Sequence, residues 1–156
     1  MDTTAVTIRR MEPASPDIPT CAGWRYEAFF KGGDFSYDDA VEQLADLVDR
    51  QGYEVALLAE VAGVPAGTCL FVRHEMPPAH ELTPWLAGLY VAPEFRRRGV
   101  GRQLVTAIEA HGRQVGCRRL YLYTLDAEGF YARLGWKIAE RFERKGEALV
   151  LMTRDL

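Results

Sequence analysis

The sequence is poor in the residues that build metal sites and disulfide frameworks. Its 156 residues include only three cysteines and three histidines. The cysteines, Cys21, Cys69 and Cys117, form no CxxC pair, and the histidines lack a metal-ligand spacing such as HExxH. Neither a disulfide framework nor a bound metal is therefore predicted. We expect the three thiols to be buried as small hydrophobic side chains.

Long apolar runs are also missing. The longest, such as Val55 to Ala59 and Pro84 to Val91, fall far below the roughly 18 residues that a membrane span requires. The first eleven residues contain no apolar signal-peptide core, so secretion is not expected and the cytoplasm is the predicted location. With 48% hydrophobic and 26% charged residues, the chain has the composition of a globular protein. Its length predicts one domain, residues 1–156, since domains typically have roughly 100–200 residues.

Basic residues are scarce in the first part of the chain, and acidic residues are scarce in the part that follows. Residues 1–93 hold 6 Lys and Arg against 14 Asp and Glu, a net charge of −8, whereas residues 94–145 hold 12 against 6, a net charge of +6. Such an asymmetry indicates an anionic ligand on the basic part and a cationic ligand on the acidic part. A solvated surface with uneven charge is the alternative.

Strand and helix patterns alternate along the chain and predict a mixed α/β fold without internal repeats. The predicted strands are Val6 to Met11, Tyr53 to Val61, Ala66 to His74, Trp85 to Pro93, Arg118 to Leu125, Trp136 to Arg144 and Glu147 to Thr153. The predicted helices are Ile18 to Phe30, Ser36 to Gly52, Arg96 to Gly116 and Ala127 to Leu134. A helix connects the strand at Trp85 to the strand at Arg118, which predicts that these two strands pair in parallel.

The segment LYVAPEFRRRGVGRQLV, Leu89 to Val105, carries the most specific chemistry. An apolar strand runs into a loop of three arginines and two glycines, and a helix begins within that loop. Backbone N–H groups at a helix N-terminus, flanked by glycines, form a site for a phosphate. The segment lacks both the GK[ST] of a P-loop and the third glycine of a dinucleotide fingerprint, which excludes these two phosphate motifs.

What the segment does match is [Q/R]xxGxG after a strand ending in Val-x-Pro, and here the sequence resembles the GNAT superfamily of acyl-CoA-dependent N-acetyltransferases. The resemblance implies a GNAT-like, mostly antiparallel sheet of six to seven strands with about four helices, and a central parallel strand pair splayed to hold CoA. It implies backbone contacts from Leu89, Tyr90 and Val91 to the pantetheine. It also implies a pyrophosphate loop of Arg96, Arg97, Arg98, Gly99, Val100 and Gly101, with Arg102 beside it. Thr83-Pro84-Trp85 and the final M-x-x-D-L further resemble a bacterial branch of the superfamily.

A second motif lies at the usual distance from the first. The family pattern NxxAxxFYxxxGF appears here as Thr124-x-x-Ala127-x-x-Phe130-Tyr131-x-x-x-Gly135-Trp136. The resemblance implies that Tyr131 protonates the departing CoA thiolate, since a phenol with a pKa of about 10 stays protonated at pH 7 and can donate to a thiolate of pKa about 8.5. Thr124 occupies the position of the asparagine that contacts pantetheine or substrate in the family, and the resemblance implies that Thr124 belongs to the cofactor-binding residues.

The base that deprotonates the amine is less well indicated. Some family members place a glutamate on the central strand, and the corresponding register near Trp85 offers none. The candidates are residues in or beside the preceding loop, namely His74, Glu75, His80 and Glu81. Water can relay the proton instead.

The sequence therefore predicts an enzyme that transfers acetyl from acetyl-CoA to a primary amine by direct attack in a ternary complex. Backbone amides near Leu89 to Val91 would stabilise the thioester oxyanion. Acetyl-CoA and a small amine are the expected partners, with no nucleic acid, no membrane and a homodimer as one possible assembly. Two other classes are weighed: a non-catalytic acyl-CoA sensor, and a nucleic-acid-binding protein that uses the basic segment.

Two kinds of acceptor fit the sequence. The family architecture puts the first helices and the loop before the central strand on the acceptor side. This arrangement would present Asp34, Asp38, Asp39, Glu75 and Glu81 to a cationic amine. The alternative is a hydrophobic amine in a pocket of Phe29, Phe30, Phe35 and Trp85.

Overall fold

Seven strands form a mixed sheet in the computed structural model, which describes residues 5–75 and 81–156. The strands are β1 (Val6–Arg10), β2 (Val55–Val61), β3 (Val64–Val72), β4 (Trp85–Val91), β5 (Arg119–Thr124), β6 (Lys137–Arg144) and β7 (Glu147–Asp155). Their order across the sheet is β1-β2-β3-β4-β5-β7-β6. The β4–β5 pair is parallel and the other neighbours are antiparallel. The predicted fold class and the predicted parallel pair are confirmed.

Four α-helices accompany the sheet in the described part of the chain. They are α1 (Ile18–Arg25), α2 (Tyr37–Arg50), α3 (Val100–Gln114) and α4 (Glu128–Arg133). The predicted helix from Ile18 to Phe30 is confirmed, and its last five residues, Tyr26–Phe30, form a π-helix that continues α1. None of the helices in residues 5–75 and 81–156 is both long enough and apolar enough to cross a bilayer.

Ser36 starts α2, as its position in the sequence predicted. Its side chain accepts a hydrogen bond from the Asp39 N–H at 3.0 Å, and the Asp39 carboxylate accepts one from the Ser36 N–H at 2.9 Å. This reciprocal capping box satisfies two amide donors at the start of the helix. The Asp39 carboxylate therefore has a structural task in the helix cap.

The turn between β2 and β3 is shorter than predicted. Ala62 and Gly63 have φ angles of 52° and 77°, and β3 already begins at Val64. A two-residue hairpin turn with positive φ at both positions matches the twist of the flanking strands. Val64 and Pro65, predicted to belong to the turn, are therefore paired strand residues.

Each face of the sheet carries its own core. On one face, α3 and α4 contribute residues such as Leu104, Ile108 and Tyr131. On the other face, α1 and α2 contribute residues such as Ala22 and Leu44. A ligand that reaches through the sheet therefore meets α3 and α4 on one side and α1 and α2 on the other.

The parallel strands β4 and β5 separate soon after they meet. Trp85 is the β4 residue that pairs with β5, opposite Tyr121. On its other edge β4 also carries a bulge, because its register with β3 skips Gly88 and Leu89. Gly88 has a φ of 61°, a conformation that costs glycine little. The sheet is thus open between β4 and β5, as the predicted splayed pair requires.

The three cysteines do not share one environment. Cys21 and Cys69 are buried, as predicted, but Cys117 is half-buried, so the prediction is wrong for that residue. Burial raises the pKa of the Cys21 thiol to about 12 and raises the pKa of Cys69 as well. The Cys117 sulfur lies 3.0 Å from the Tyr53 hydroxyl, a polar contact near the surface.

Candidate active site

The loop between β4 and α3 is shaped to receive an anion. Pro93–Phe95 form a single 3-10 turn, and Arg97 and Gly99 then adopt left-handed backbone conformations with φ of 64° and 79°. Gly99 is the N-cap of α3, which begins at Val100. The first N–H groups of a helix have no partner inside the helix, and they lie here at the end of a loop with three arginines, followed by Arg102 in the first turn of α3. This arrangement provides N–H donors and positive charge to an anionic group.

The two glycines of this loop serve different purposes. Gly99 is needed for its backbone angle, which non-glycine residues rarely adopt. Gly101 has an ordinary helical position, but a β-carbon there would lie 3.3 Å from Phe130 Cζ and 3.6 Å from Val91 Cγ2. Because α3 packs closely against β4 and α4, a side chain at Gly101 would require the Phe130 ring to shift by a few tenths of an ångström.

The arginines of the loop also differ in their tasks. The Arg96 Nε donates a hydrogen bond of 2.9 Å to the Val91 carbonyl oxygen, and its guanidinium lies 5.6 Å from the centre of the Tyr90 ring. Arg96 thus ties the loop to the end of β4. Arg97, Arg98 and Arg102 are exposed and keep their guanidinium groups at the surface of the loop.

The predicted pantetheine strand borders the opening in the sheet. Leu89, Tyr90 and Val91 are half-buried, in contrast to the buried first half of β4. The Tyr90 ring stacks on Trp24 of α1 at a centroid distance of 5.5 Å. Because β5 has diverged at this level, the backbone of Leu89 faces the opening on one side and the bulge on the other.

Tyr131 lies on α4 with its ring in the core. The residue is 6% exposed, and its ring makes edge contacts with Phe130 at 5.1 Å and Trp136 at 5.9 Å. Burial raises the pKa of the Tyr131 phenol above its ordinary value, because a phenolate would lose its hydration. Tyr131 is therefore a protonated donor at neutral pH.

Thr124, at the end of β5, has a structural hydrogen bond. Its hydroxyl accepts the N–H of Ala127 at 3.0 Å, and the residue is 8% exposed. Ala127 immediately precedes α4, so this bond helps to fix the start of the helix that carries Tyr131.

The four candidates for the base are separated by the structure. His74 and Glu81 are exposed, and His80 lies outside the described residues. Glu75 is half-buried just beyond β3, and its negative charge raises the pKa of both Arg25 and Tyr123, although burial is the larger influence on each. Among the described candidates, Glu75 is thus the one whose charge influences the pKa of side chains that are partly or fully buried.

Arg25 is a buried charged residue beside β4 that sequence reasoning missed. It is 7% exposed, and a β-carbon on Gly88 would collide with its Nη1 atom. Burial lowers the pKa of Arg25, and the charge of Glu75 opposes this effect. A signal was present in the sequence: Arg25 follows Cys21 and Ala22 at the spacing of the buried face of α1. An arginine at a core position marks either a satisfied structural group or a ligand site.

The aromatic and acidic residues predicted to line the acceptor side do not all lie in one site. Trp85 is only 1% exposed and lies under the Tyr123 ring at 4.6 Å, so the prediction that it lines a pocket is wrong. Phe30 and Phe35 are in contact at 4.7 Å, whereas Phe29 is 52% exposed. The acidic residues Asp34, Asp38, Asp39 and Glu81 are exposed.

The fold and the loop agree with a family comparison. The model of the acetyltransferase (GNAT) family matches residues 19–136, which include α1 to α4 and both sequence motifs. The chain belongs to the acetyltransferase (GNAT) family. This GNAT protein is accordingly an N-acetyltransferase that uses acetyl-CoA as its co-substrate, as the motifs predicted.

Two curated relatives share a name. The chain is 34% identical over 124 residues to the aminoglycoside N(6')-acetyltransferase type 1 of Stenotrophomonas maltophilia, covering 77% of this chain and 76% of that protein. It is 30% identical over 86 residues to the protein of the same name from Salmonella typhimurium, covering 53% of this chain and 59% of that protein.

Solved structures share the whole fold. A GCN5-related N-acetyltransferase from Kribbella flavida superposes with a TM-score of 0.79 at 18% identity, covering 97% of this chain and 98% of that chain. An aminoglycoside 6'-N-acetyltransferase complexed with coenzyme A superposes with a TM-score of 0.74 at 16% identity, covering 96% of both chains. At these identities the similarity establishes the fold alone.

Proposed function

We propose that this GNAT domain, residues 1–156, acetylates the primary amine of a small molecule by direct attack in a ternary complex. The observation that carries the proposal is the opening between β4 and β5, because β4 leads into the arginine–glycine loop and α3, and β5 leads into Thr124 and the helix α4 that carries Tyr131. A donor held along this opening and an acceptor arriving from the α1 face would meet within the sheet. No covalent enzyme intermediate is needed.

In this proposal the loop and strand hold acetyl-CoA from end to end. The amides of Gly99, Val100 and Gly101, with Arg97, Arg98 and Arg102, bind the pyrophosphate. Arg96 supports the loop through its bond to the Val91 carbonyl, which makes it a positioning residue. The backbone of Leu89 to Val91 holds the pantetheine, and its amides stabilise the oxygen that gains negative charge during acyl transfer.

The reaction needs two proton transfers, one to the departing CoA and one from the amine, and a different residue carries out each. Tyr131 donates its proton to the sulfur of the departing CoA, since burial keeps the phenol protonated across the neutral pH range. Glu75, directly or through a water molecule, takes the proton from the amine. Thr124 helps to position Tyr131, because its hydroxyl accepts a hydrogen bond at the start of α4, the helix that carries Tyr131.

The small-molecule acceptor is supported by the relatives' names and by the charge of the first part of the chain. Two relatives are named for acetylating an aminoglycoside amine. The net charge of −8 over residues 1–93 favours an acceptor with a positively charged amine. The cytoplasmic location and the homodimer remain predictions.

The experiment that tests the proposal combines binding and turnover. Acetyl-CoA is titrated by calorimetry, and release of free CoA thiol is then followed with a panel of amino acids, polyamines, aminoglycosides and arylamines. Saturable binding with thiol release that depends on one of these amines supports the proposal. Binding without transfer to any amine would favour the sensor instead. Binding of nucleic acid in place of acetyl-CoA would contradict both.

A further inference from the structure

The side chain of Arg25 is a buried cation with few partners. A guanidinium has five N–H donors, and the side-chain hydrogen bond that Arg25 makes within residues 5–75 and 81–156 is a long one, 3.5 Å to the Gln43 Oε1. Its guanidinium also lies 5.5 Å from the centre of the Phe30 ring. In the same described ranges it forms no ion pair, and the charge of Glu75 opposes the larger effect of burial, which lowers the pKa of Arg25. Among the described residues, Arg154 Nε is the side-chain atom that is fully buried without a partner, so the remaining Arg25 donors are not sealed off from solvent. They are accessible to an anion, which would bind in a site that is largely shielded from water.

Arg25 lies close to the place in the sheet where the reaction is proposed to occur. Its Nη1 atom occupies the space beside Gly88, where β4 bulges away from β3 and is already separated from β5. It approaches from α1, across the sheet from the N-terminus of α3. The proposed pantetheine backbone, Leu89 to Val91, begins at the next residue. A group bound to Arg25 would therefore lie near the acyl end of the donor, on the side opposite the pyrophosphate loop.

From this placement we infer that the acceptor carries a carboxylate close to its amine and that Arg25 binds this carboxylate. The inference rests on the proposed function and specifies the substrate class of the same site. A planar guanidinium binds a carboxylate through two parallel N–H···O bonds, which also fixes its orientation. The charge of Glu75 is close enough to influence Arg25, so the same acceptor can direct its amine towards Glu75 while its carboxylate faces Arg25. An amino acid or another small aminocarboxylate has this arrangement of charges.

The aromatic neighbours are consistent with a small acceptor of this class. Trp24 and Tyr90 stack beside the bulge, and Phe30 lies against the guanidinium. Aromatic surfaces of this kind would surround the apolar part of an amino acid, and they also strengthen an arginine–carboxylate bond by excluding water. A polycation such as an aminoglycoside would instead bring positive charge towards a buried positive charge.

Matched acceptors test the inference on the unmodified protein. Initial rates are measured with L-phenylalanine and phenethylamine, and with L-leucine and isoamylamine, because each pair differs in the carboxylate alone. We expect kcat/KM to be higher for the amino acid by roughly 10- to 100-fold, the ratio appropriate to a charged hydrogen-bonded contact. Equal rates within each pair, or a polyamine or aminoglycoside as the best acceptor, would overturn the inference while leaving the proposed function in place. Transfer to no amine at all would overturn both.

Variants then assign the preference to Arg25. Arg25→Gln should reduce the ratio within each acceptor pair to about one, mainly by raising KM for the amino acid, while acetyl-CoA affinity stays unchanged. Arg25→Lys, which retains the charge and loses the planar fork, should recover part of the ratio. Arg50→Gln removes an exposed arginine of α2 and is the matched control, with no change expected. If a folded Arg25→Gln protein kept the full ratio, the carboxylate would have to bind elsewhere and the inference would fail.

Discussion

Gly101 of α3 and Phe130 of α4 are packed so closely that a β-carbon on the glycine would lie 3.3 Å from the Phe130 Cζ atom. Phe130 is followed by Tyr131, and the two rings are in edge contact. The glycine of the pyrophosphate loop therefore touches the element that carries the proposed acid. A change at Gly101 should affect both the binding of CoA and the placement of the Tyr131 hydroxyl.

Gly101→Val tests this coupling. The valine methyl groups must displace the Phe130 ring, at a cost of about 1–3 kcal/mol in the free energy of unfolding. We expect acetyl-CoA affinity, measured by calorimetry, to fall at least about tenfold, which corresponds to about 1.4 kcal/mol. Gly101→Ala, which adds one methyl group, should lie between the wild type and the valine variant. Unchanged affinity in a folded Gly101→Val protein would rule out this position for the pyrophosphate.

Gly99→Ala isolates the backbone requirement of the loop. An alanine at a φ of 79° costs about 1–2 kcal/mol, so either the loop changes shape or the protein loses that much stability. Gly146→Ala is the control, because Gly146 has a φ of 80°, lies in the β6–β7 turn and has no neighbour that a β-carbon would touch. Urea unfolding should show a similar loss of stability for both variants. Calorimetry should show weaker acetyl-CoA binding for Gly99→Ala alone, and equal binding for both would contradict the assignment of the loop.

Tyr131→Phe removes the proposed proton donor and preserves the ring. Turnover should fall on the order of 10²-fold with little change in acetyl-CoA affinity, measured where the chemical step limits the rate. Tyr53→Phe is the matched control, since its hydroxyl contacts Cys117 and lies outside the proposed site. A Tyr131→Phe enzyme with full turnover would leave the residue as a packing aromatic.

The pH dependence of turnover gives a second measurement on the same residue. Because burial raises the pKa of Tyr131, its proton should remain bound up to and beyond pH 10. Loss of the Tyr131 proton should therefore cause no decrease in the wild-type rate between pH 7 and 10. Any decrease in this range should be present in Tyr131→Phe as well. A decrease in that range that does disappear in the variant would show that the phenol titrates normally.

Thr124→Val removes one hydrogen bond next to α4. The Ala127 N–H would lose its acceptor, and we expect the free energy of unfolding to fall by about 1 kcal/mol, as measured by urea unfolding. Thr124→Ser retains the hydroxyl, and Thr124→Asn supplies a side-chain oxygen that can accept the same bond, so both should be less destabilised. If the valine variant were as stable as the wild type, the proposed positioning of α4 by Thr124 would be wrong.

Local patterns accounted for much of the fold. The Ser36 cap and the alternation of strands with helices each depend on neighbours in the chain, and the structure confirms the elements that they predicted. The hairpin between β2 and β3 was also predicted from local sequence, although its turn is two residues shorter than expected. The loop from Arg96 to Gly101 was recognisable for the same reason, because a helix N-terminus, its glycines and its arginines are consecutive in sequence.

The sequence by itself thus determined the order of the elements, the parallel strand pair and the family motif. The tertiary structure decided the environment of each side chain. It buried Trp85 under Tyr123, left Cys117 at the surface, used the Arg96 side chain to hold the Val91 carbonyl and brought Arg25 against Gly88. Arg25 and Gly88 are 63 residues apart, and nothing local specifies that they meet. Their contact depends on how α1 packs across the sheet and on the bulge in β4, because burial and electrostatic environment are set by distant parts of the chain.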